Sequence, residues 1–157
     1  MAEPTSQTVE RDAALHWYAR WLDAWNSHEP SHIRELITDD FRLITPTTVN
    51  SGQHLGTAAQ AEEYVAFVVR AYPDLIWTQA GPPTFADSDP IMTVPWHGTG
   101  TFSGVLDPPG VPGTGRPFAF DGVEVFEFRG DVACGVTAHY DLQGLMRQVL
   151  PRRTVSQ

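Results

Sequence analysis

The sequence predicts an α+β domain in which a curved antiparallel sheet wraps around N-terminal helices, giving a cone-shaped α+β barrel with an internal pocket. Three observations carry this expectation. Apolar residues recur at helical spacing in the first half of the chain, they alternate with period two after Pro73, and the alternating segments are divided by turn residues. Helices that precede a run of strands must cover one face of the sheet those strands form. A twisted sheet bent around a long helix then leaves a cavity between the two.

The first helix is expected from Val9 to about Asn26, with Ala14, Trp17, Tyr18, Trp21 and Trp25 on one stripe. Ser27 to Pro30 breaks it, and Pro30 suits the first turn of a short second helix through Ile33, Leu36 and Ile37. Phe41, Leu43 and Thr45 alternate with Arg42 and Ile44 as in a short strand. Thr57 can cap a third helix that runs through Tyr64, Val65, Val68 and Ala71 until Pro73 ends it. Period-two segments follow over Leu75–Phe85 and Ile91–Ser103. In the second, Met92, Val94, Trp96 and Phe102 share one side and Thr93, His97, Thr99, Thr101 and Ser103 the other. After a glycine- and proline-rich loop from Leu106 to Pro117 come strands over about Phe118–Phe128 and Val132–Tyr140, joined by a turn at Arg129-Gly130-Asp131. A last helical turn is expected over Gly144–Leu150, followed by a disordered basic tail at Arg152 and Arg153.

No linker or internal repeat divides the 157 residues, so one domain is expected over 1–157 with an ordered core of about 9–150. The opening MAEPTSQTVE lacks a basic stretch followed by an apolar run, and no apolar segment approaches the ~20 residues of a membrane helix. A cytoplasmic protein with no membrane partner is the expectation. The lone Cys134 has no internal disulfide partner. Ten basic against nineteen acidic residues give a net charge of -9, which repels nucleic-acid backbones and argues against such a partner. Five tryptophans, four tyrosines and eight phenylalanines suit both a core and the walls of a site for a flat, hydrophobic small molecule.

Phosphate-binding loops, dinucleotide fingerprints and nucleophile elbows are absent from the sequence. His28 and His32 are four apart but lack a third ligand nearby, so they read as a solvated pair and no metal site is expected. Two carboxylates stand out. Asp141 ends the small, apolar strand Val132–Ala138 after His139 and Tyr140; on position alone it reads as a cap for the following turn, slightly ahead of a desolvated base assisted by His139 on the same strand face. Glu124 interrupts the aromatic face of Phe118, Phe120, Gly122, Phe126 and Phe128, and either faces solvent at a sheet edge or is a second pocket carboxylate. Trp96 and His97 adjoin Gly98 and Gly100, glycines that read first as bulge or core packing and second as a place for close ligand approach.

Several strings together resemble the SnoaL-like polyketide cyclases of the ketosteroid isomerase-like, or nuclear transport factor two-like, superfamily. They are His54-Leu55-Gly56, Tyr72-Pro73-Asp74-Leu75, Trp96 with Gly98-Thr99 and Thr101, Pro108-Pro109 with Gly113-Thr114-Gly115-Arg116, and Asp141 with Gly144-Leu145-Met146 and Gln148. The resemblance spans roughly Asp39 to Leu150 and implies the helix-filled cone and an intramolecular aldol ring closure of a polyketide, needing no metal or organic cofactor. It also implies that Asp141 is the catalytic base, with His139, a tryptophan N–H or Tyr18 able to support an enolate, and aromatic walls from Trp96, Tyr64 and Phe126. Gly100 stands where those cyclases usually carry histidine, and the loop from Leu106 to Gly115 is longer than theirs. Relatives of the same fold include hydroxylating and epoxide-opening enzymes and proteins that only bind ligands, and members are often dimers or tetramers. A homodimer is the resulting expectation.

Overall fold

The computed structural model describes residues 10–151, and its first helix, α1 (Arg11–Asn26), buries the predicted stripe of Ala14, Trp17, Tyr18, Trp21 and Trp25. Val9, where the helix was expected to begin, and the tail at Arg152 and Arg153 lie outside the described residues. Glu10 caps α1 by accepting from the Asp12 and Ala13 amides. A short 3-10 helix, Pro30–Leu36, follows with its proline in the first turn. The Trp17 indole ties the two together by donating to the Leu36 carbonyl at 2.9 Å.

Strand β1 (Ile37–Ile44) is longer than the alternation suggested, but its phase agrees: Phe41 and Leu43 point in while Arg42 and Ile44 point out. An unpredicted helical turn, α2 (Pro46–Asn50), comes next. Thr45 caps it by accepting from the Thr48 amide, and Thr48 returns the bond to the Thr45 amide. Helix α3 (Ala58–Ala71) begins at the predicted cap, Thr57, and buries Ala61, Val65 and Val68.

The expected strand over Leu75–Phe85 is two strands, β2 (Ile76–Gln79) and β3 (Thr84–Phe85). Gly81, Pro82 and Pro83 separate them, since proline has no amide to give a ladder. Both pair with β4 (Ile91–Phe102). Inside the long loop a small hairpin forms from β5 (Val105–Leu106) and β6 (Val111–Pro112). The two principal strands, β7 (Arg116–Arg129) and β8 (Val132–Tyr140), join through a turn where Gly130 adopts φ +68. Helix α4 (Leu142–Val149) closes the fold.

The main sheet runs β1-β8-β7-β4-β2, with β3 also on β4. One pair departs from the expected antiparallel sheet, because β1 lies parallel to β8. The chain between these two strands is long enough to pass through the helices and the rest of the sheet, as a parallel neighbour requires. Along β4 and β7 the ladder is unbroken from Ile91↔Glu127 to Phe102↔Arg116, so even-numbered residues of both strands face the helices. Those residues include Met92, Val94, Trp96, Phe102, Phe118, Phe126 and Phe128, all buried. Trp17, Tyr18 and Trp21 of α1 meet the ring of Phe126, with centroids 5.0, 5.8 and 5.5 Å apart.

Candidate functional site

A cavity of about 300 Å³ lies between the inner sheet face and the helices. It has the size and apolar walls of a small-molecule site. Trp21 and Trp25 come from α1, Tyr64 and Phe67 from α3, Trp77 from β2, Trp96 from β4, Phe118 and Phe120 from β7, and Val136 and Ala138 from β8. Leu106, Pro108, Pro109 and Val111 of the small hairpin complete one side. Asn50, Ser51, Pro108 and Pro109 line it while also being exposed, which marks its mouth.

Two glycines on the inner sheet face make room for tryptophan rings of the cavity wall. Gly122 is opposite Trp96 in the ladder, and a methyl group on it would collide with the Trp96 ring and come within 2.6 Å of the His139 carbonyl. Gly98 likewise accepts the Trp77 ring, where a methyl group would meet Cζ3 at 2.6 Å. Trp77 and Trp96 thereby pack edge to face with centroids 4.8 Å apart. Gly98 and Gly100 therefore serve aromatic packing: Phe118 occupies the space over Gly100.

Glu124 is the one acidic residue among the described residues that line the cavity, and no Lys, Arg or His accompanies it there. The alternation of β7 puts it on the inner face, with Val94 and Ala138 as its ladder partners. The side chain is half-buried because its free surface borders the cavity, yet protein encloses it. Desolvation pushes its carboxyl from the ordinary 4.5 up to about 8, against a smaller lowering effect of a hydrogen bond from Trp21. Near neutral pH the group is mostly a neutral acid that can take up and release a proton. The Tyr18 hydroxyl is buried without a hydrogen-bond partner, and burial, together with the nearby Glu124 charge, drives its pKa far upward. The indole N–H groups of Trp77 and Trp96 are also buried without partners.

A second polar group lies toward the mouth. Thr47 Oγ1 and the Tyr140 hydroxyl are 2.5 Å apart, and the Tyr64 hydroxyl donates to Thr45 Oγ1 at 3.3 Å. All four side chains line the cavity. Burial raises the Tyr64 phenol, with Tyr140 adding to the effect.

Of the residues singled out from the sequence, Glu124, Trp96 and Tyr64 meet in this cavity. Tyr18 stands behind its wall beside Glu124, and Phe126 is fully buried core rather than lining. Asp141 and His139 are placed differently from the buried-base expectation. Asp141 sits between the lining residues Tyr140 and Leu142, but its own side chain is 73% exposed, with Oδ1 accepting from the Gly144 amide at 2.9 Å to cap α4. Its other oxygen is 3.8 Å from Arg147. His139 is exposed on the outer sheet face opposite Val123, because adjacent strand residues alternate and Ala138 and Tyr140 take the inner face. His28 and His32 bond separately to the Leu75 carbonyl and Ser27. Among the described residues no three His, Cys, Asp or Glu side chains gather as metal ligands. Arg129 is paired with Asp40 on the outside, and among the described residues no helix is long and apolar enough to cross a membrane.

The unclosed, curved sheet holding a cavity against helices is the ketosteroid isomerase-like fold, seen also in a protein of that fold from Catenulispora acidiphila in complex with trimethylamine (TM-score 0.67, 17% identity, 84% of this chain and 90% of that one). Within that class the chain belongs to the SnoaL-like polyketide cyclase family, whose pattern it matches over residues 15–149. A proposed SnoaL-like polyketide cyclase from a Jannaschia species superposes with a TM-score of 0.75 at 20% identity, covering 97% of this chain and 99% of that one. TsrD from Streptomyces laurentii gives 0.73 at 18% identity, covering 89% and 96%. No curated protein matches the chain.

Proposed function

We propose that the protein is a cyclase or isomerase that moves a proton on a hydrophobic, carbonyl-bearing, polyketide-like small molecule, with Glu124 as the proton-transfer group. The observation that carries this reading is a single carboxyl, raised to about 8, in an apolar cavity whose lining among the described residues holds no Lys, Arg or His. Desolvation makes the Glu124 carboxylate a far stronger base than one in water, so that once ionised it can take a proton from carbon next to a carbonyl. The resulting acid remains in place to return the proton, which isomerises the substrate, or to protonate the oxygen formed when the enolate closes a ring. Trp21, beside the carboxyl, steadies the ionised form. The aromatic walls exclude water and hold a flat substrate. Family membership and the similar fold of a proposed polyketide cyclase support the substrate class.

The reading is tested with 1-tetralone, whose α-protons report enolisation without knowledge of the natural substrate. In deuterated buffer the protein is expected to speed α-proton exchange, with the rate per bound ligand rising as pH passes through about 8 and levelling above it, because the carboxylate is the active form. Glu124→Gln should remove the acceleration and keep tetralone affinity within about twofold. Exchange that survives this substitution would overturn the assignment.

A further inference from the structure

The cavity has two polar poles, and Glu124 accounts for one of them. At the other, Thr45, Thr47, Tyr64 and Tyr140 place four hydroxyls on the wall toward the mouth. Thr45 has a structural task, since its Oγ1 accepts from the Thr48 amide at 3.1 Å to cap α2. Thr47 and Tyr140 are different. Their hydroxyls make a bond to each other across α2 and β8, with either atom as donor. A hydroxyl pair that shares one bond uses one proton and keeps the other. The Tyr64 bond to Thr45 is long for O–H···O, at 3.3 Å against a usual ~2.8 Å, and the phenol also lies close to the Thr47 and Tyr140 hydroxyls, so it buttresses the pair from α3.

Spacing connects the poles. Glu124 is paired with Ala138 across the β7–β8 ladder, and Tyr140 lies two residues further along β8 on the same inner face. At ~3.3 Å per residue this separates the two rows by about 7 Å, the scale of a fused two-ring molecule. Trp96 shares the row of Tyr140 through Gly122, and Phe120 stands one row further from Glu124, with the Tyr140 ring centroid 6.0 and 5.5 Å from theirs.

We infer that the Thr47–Tyr140 hydroxyl pair is a specificity subsite that hydrogen-bonds an oxygen substituent of the ligand at the end remote from its reacting carbonyl. The inference rests on the proposed role of the cavity and deepens it: the substrate is a flat ketone of two or more rings with a hydroxyl, methoxy or carbonyl oxygen on the distal ring. Thr47 and Tyr140 select and orient this molecule, and they take no part in proton transfer.

The test compares 1-tetralone with 6-hydroxy-1-tetralone, read by quenching of the cavity tryptophans Trp21, Trp25, Trp77 and Trp96. The hydroxylated ligand should bind about three- to tenfold more tightly to the wild-type protein, the ratio that one net hydrogen bond confers. Thr47→Val and Tyr140→Phe, alone and combined, should bring the two affinities together while 1-tetralone binds as before, and Thr47→Ser should restore the preference. Unchanged 1-tetralone affinity shows that each variant has kept its cavity. Equal affinities in the wild type, or a preference that survives the double substitution, would overturn the subsite alone. The preference should also persist in Glu124→Gln, so loss of proton exchange and loss of selectivity report on the two poles separately. Failure of both ketones to bind would overturn the subsite together with the reading on which it rests.

Discussion

At the scale of single residues, the two acidic side chains that the sequence marks out have opposite environments. Glu124 is enclosed with no cationic side chain beside it among the described residues, and its raised carboxyl makes a prediction about stability. The unfolded chain ionises this group near the ordinary 4.5, while the folded protein holds the proton up to about 8. Folded protein therefore binds the extra proton between those values, and stability falls as pH rises through that window. At ~1.4 kcal/mol per pKa unit the loss is on the order of 5 kcal/mol. Glu124→Gln should match wild type near pH ~4 and exceed its stability above pH ~8, as read from urea unfolding at each pH. Asp141 is the contrasting case. Asparagine caps helices as well as aspartate, so Asp141→Asn should change stability by less than about 0.5 kcal/mol and leave tetralone exchange intact, whereas Asp141→Ala should lose about 1 kcal/mol with the cap. Loss of exchange in folded Asp141→Asn would return the base to that position. The sequence showed Glu124 in phase with Phe118, Phe126 and Phe128 but left open whether it faced solvent at a sheet edge or the pocket, and the ladder with β4 and β8 decides for the pocket. The string around Asp141 resembles the family's closing pattern, but a string locates a backbone position and not the direction of its carboxyl.

At the scale of elements, the local signals that survived are those with a periodicity or a cap. The α1 stripe, the Thr57 cap and the even-numbered faces of β4 and β7 all appear where the pattern put them. Helix α2 went unread, although Thr45 followed by Pro46 is a start signal, because five residues are too few to show a helical period. The parallel pairing of β1 with β8 had no local signature, since it joins segments far apart in the chain, as Ile37 opposite Ala133 shows. Gly98 and Gly100 gave a mixed signal: the sequence offered packing first and ligand approach second, and the structure fills the space over them with Trp77 and Phe118, as it fills that over Gly122 with Trp96. Gly122→Ala tests how tightly β4, β7 and β8 are interlocked. Its methyl group must displace either the Trp96 ring or the β8 backbone, so a loss of about 1–3 kcal/mol is predicted, with a shift in tryptophan emission. An unchanged unfolding midpoint and spectrum would show that the sheet yields there at no cost.

At the scale of the molecule, the helices and the sheet enclose one apolar cavity whose depth contains a carboxyl and whose mouth side carries hydroxyls. The fold class and the existence of this cavity follow from helices preceding strands. Which side chains reach it depends on the sheet's curvature and on where chain segments cross, and these arise only when the sheet closes over α1. Trp77 and Thr47 illustrate the point, because one lies on a short strand after Pro73 and the other in the unread turn. The proposed chemistry depends on Glu124 retaining its proton at neutral pH inside the folded protein. Infrared difference spectroscopy, following the protonated-carboxyl stretch in wild type against Glu124→Gln across pH, measures this directly. A protonated carboxyl present at pH ~7 in wild type alone, titrating near 8, is the predicted result. A Glu124 that ionises in the ordinary carboxylate range would contradict it.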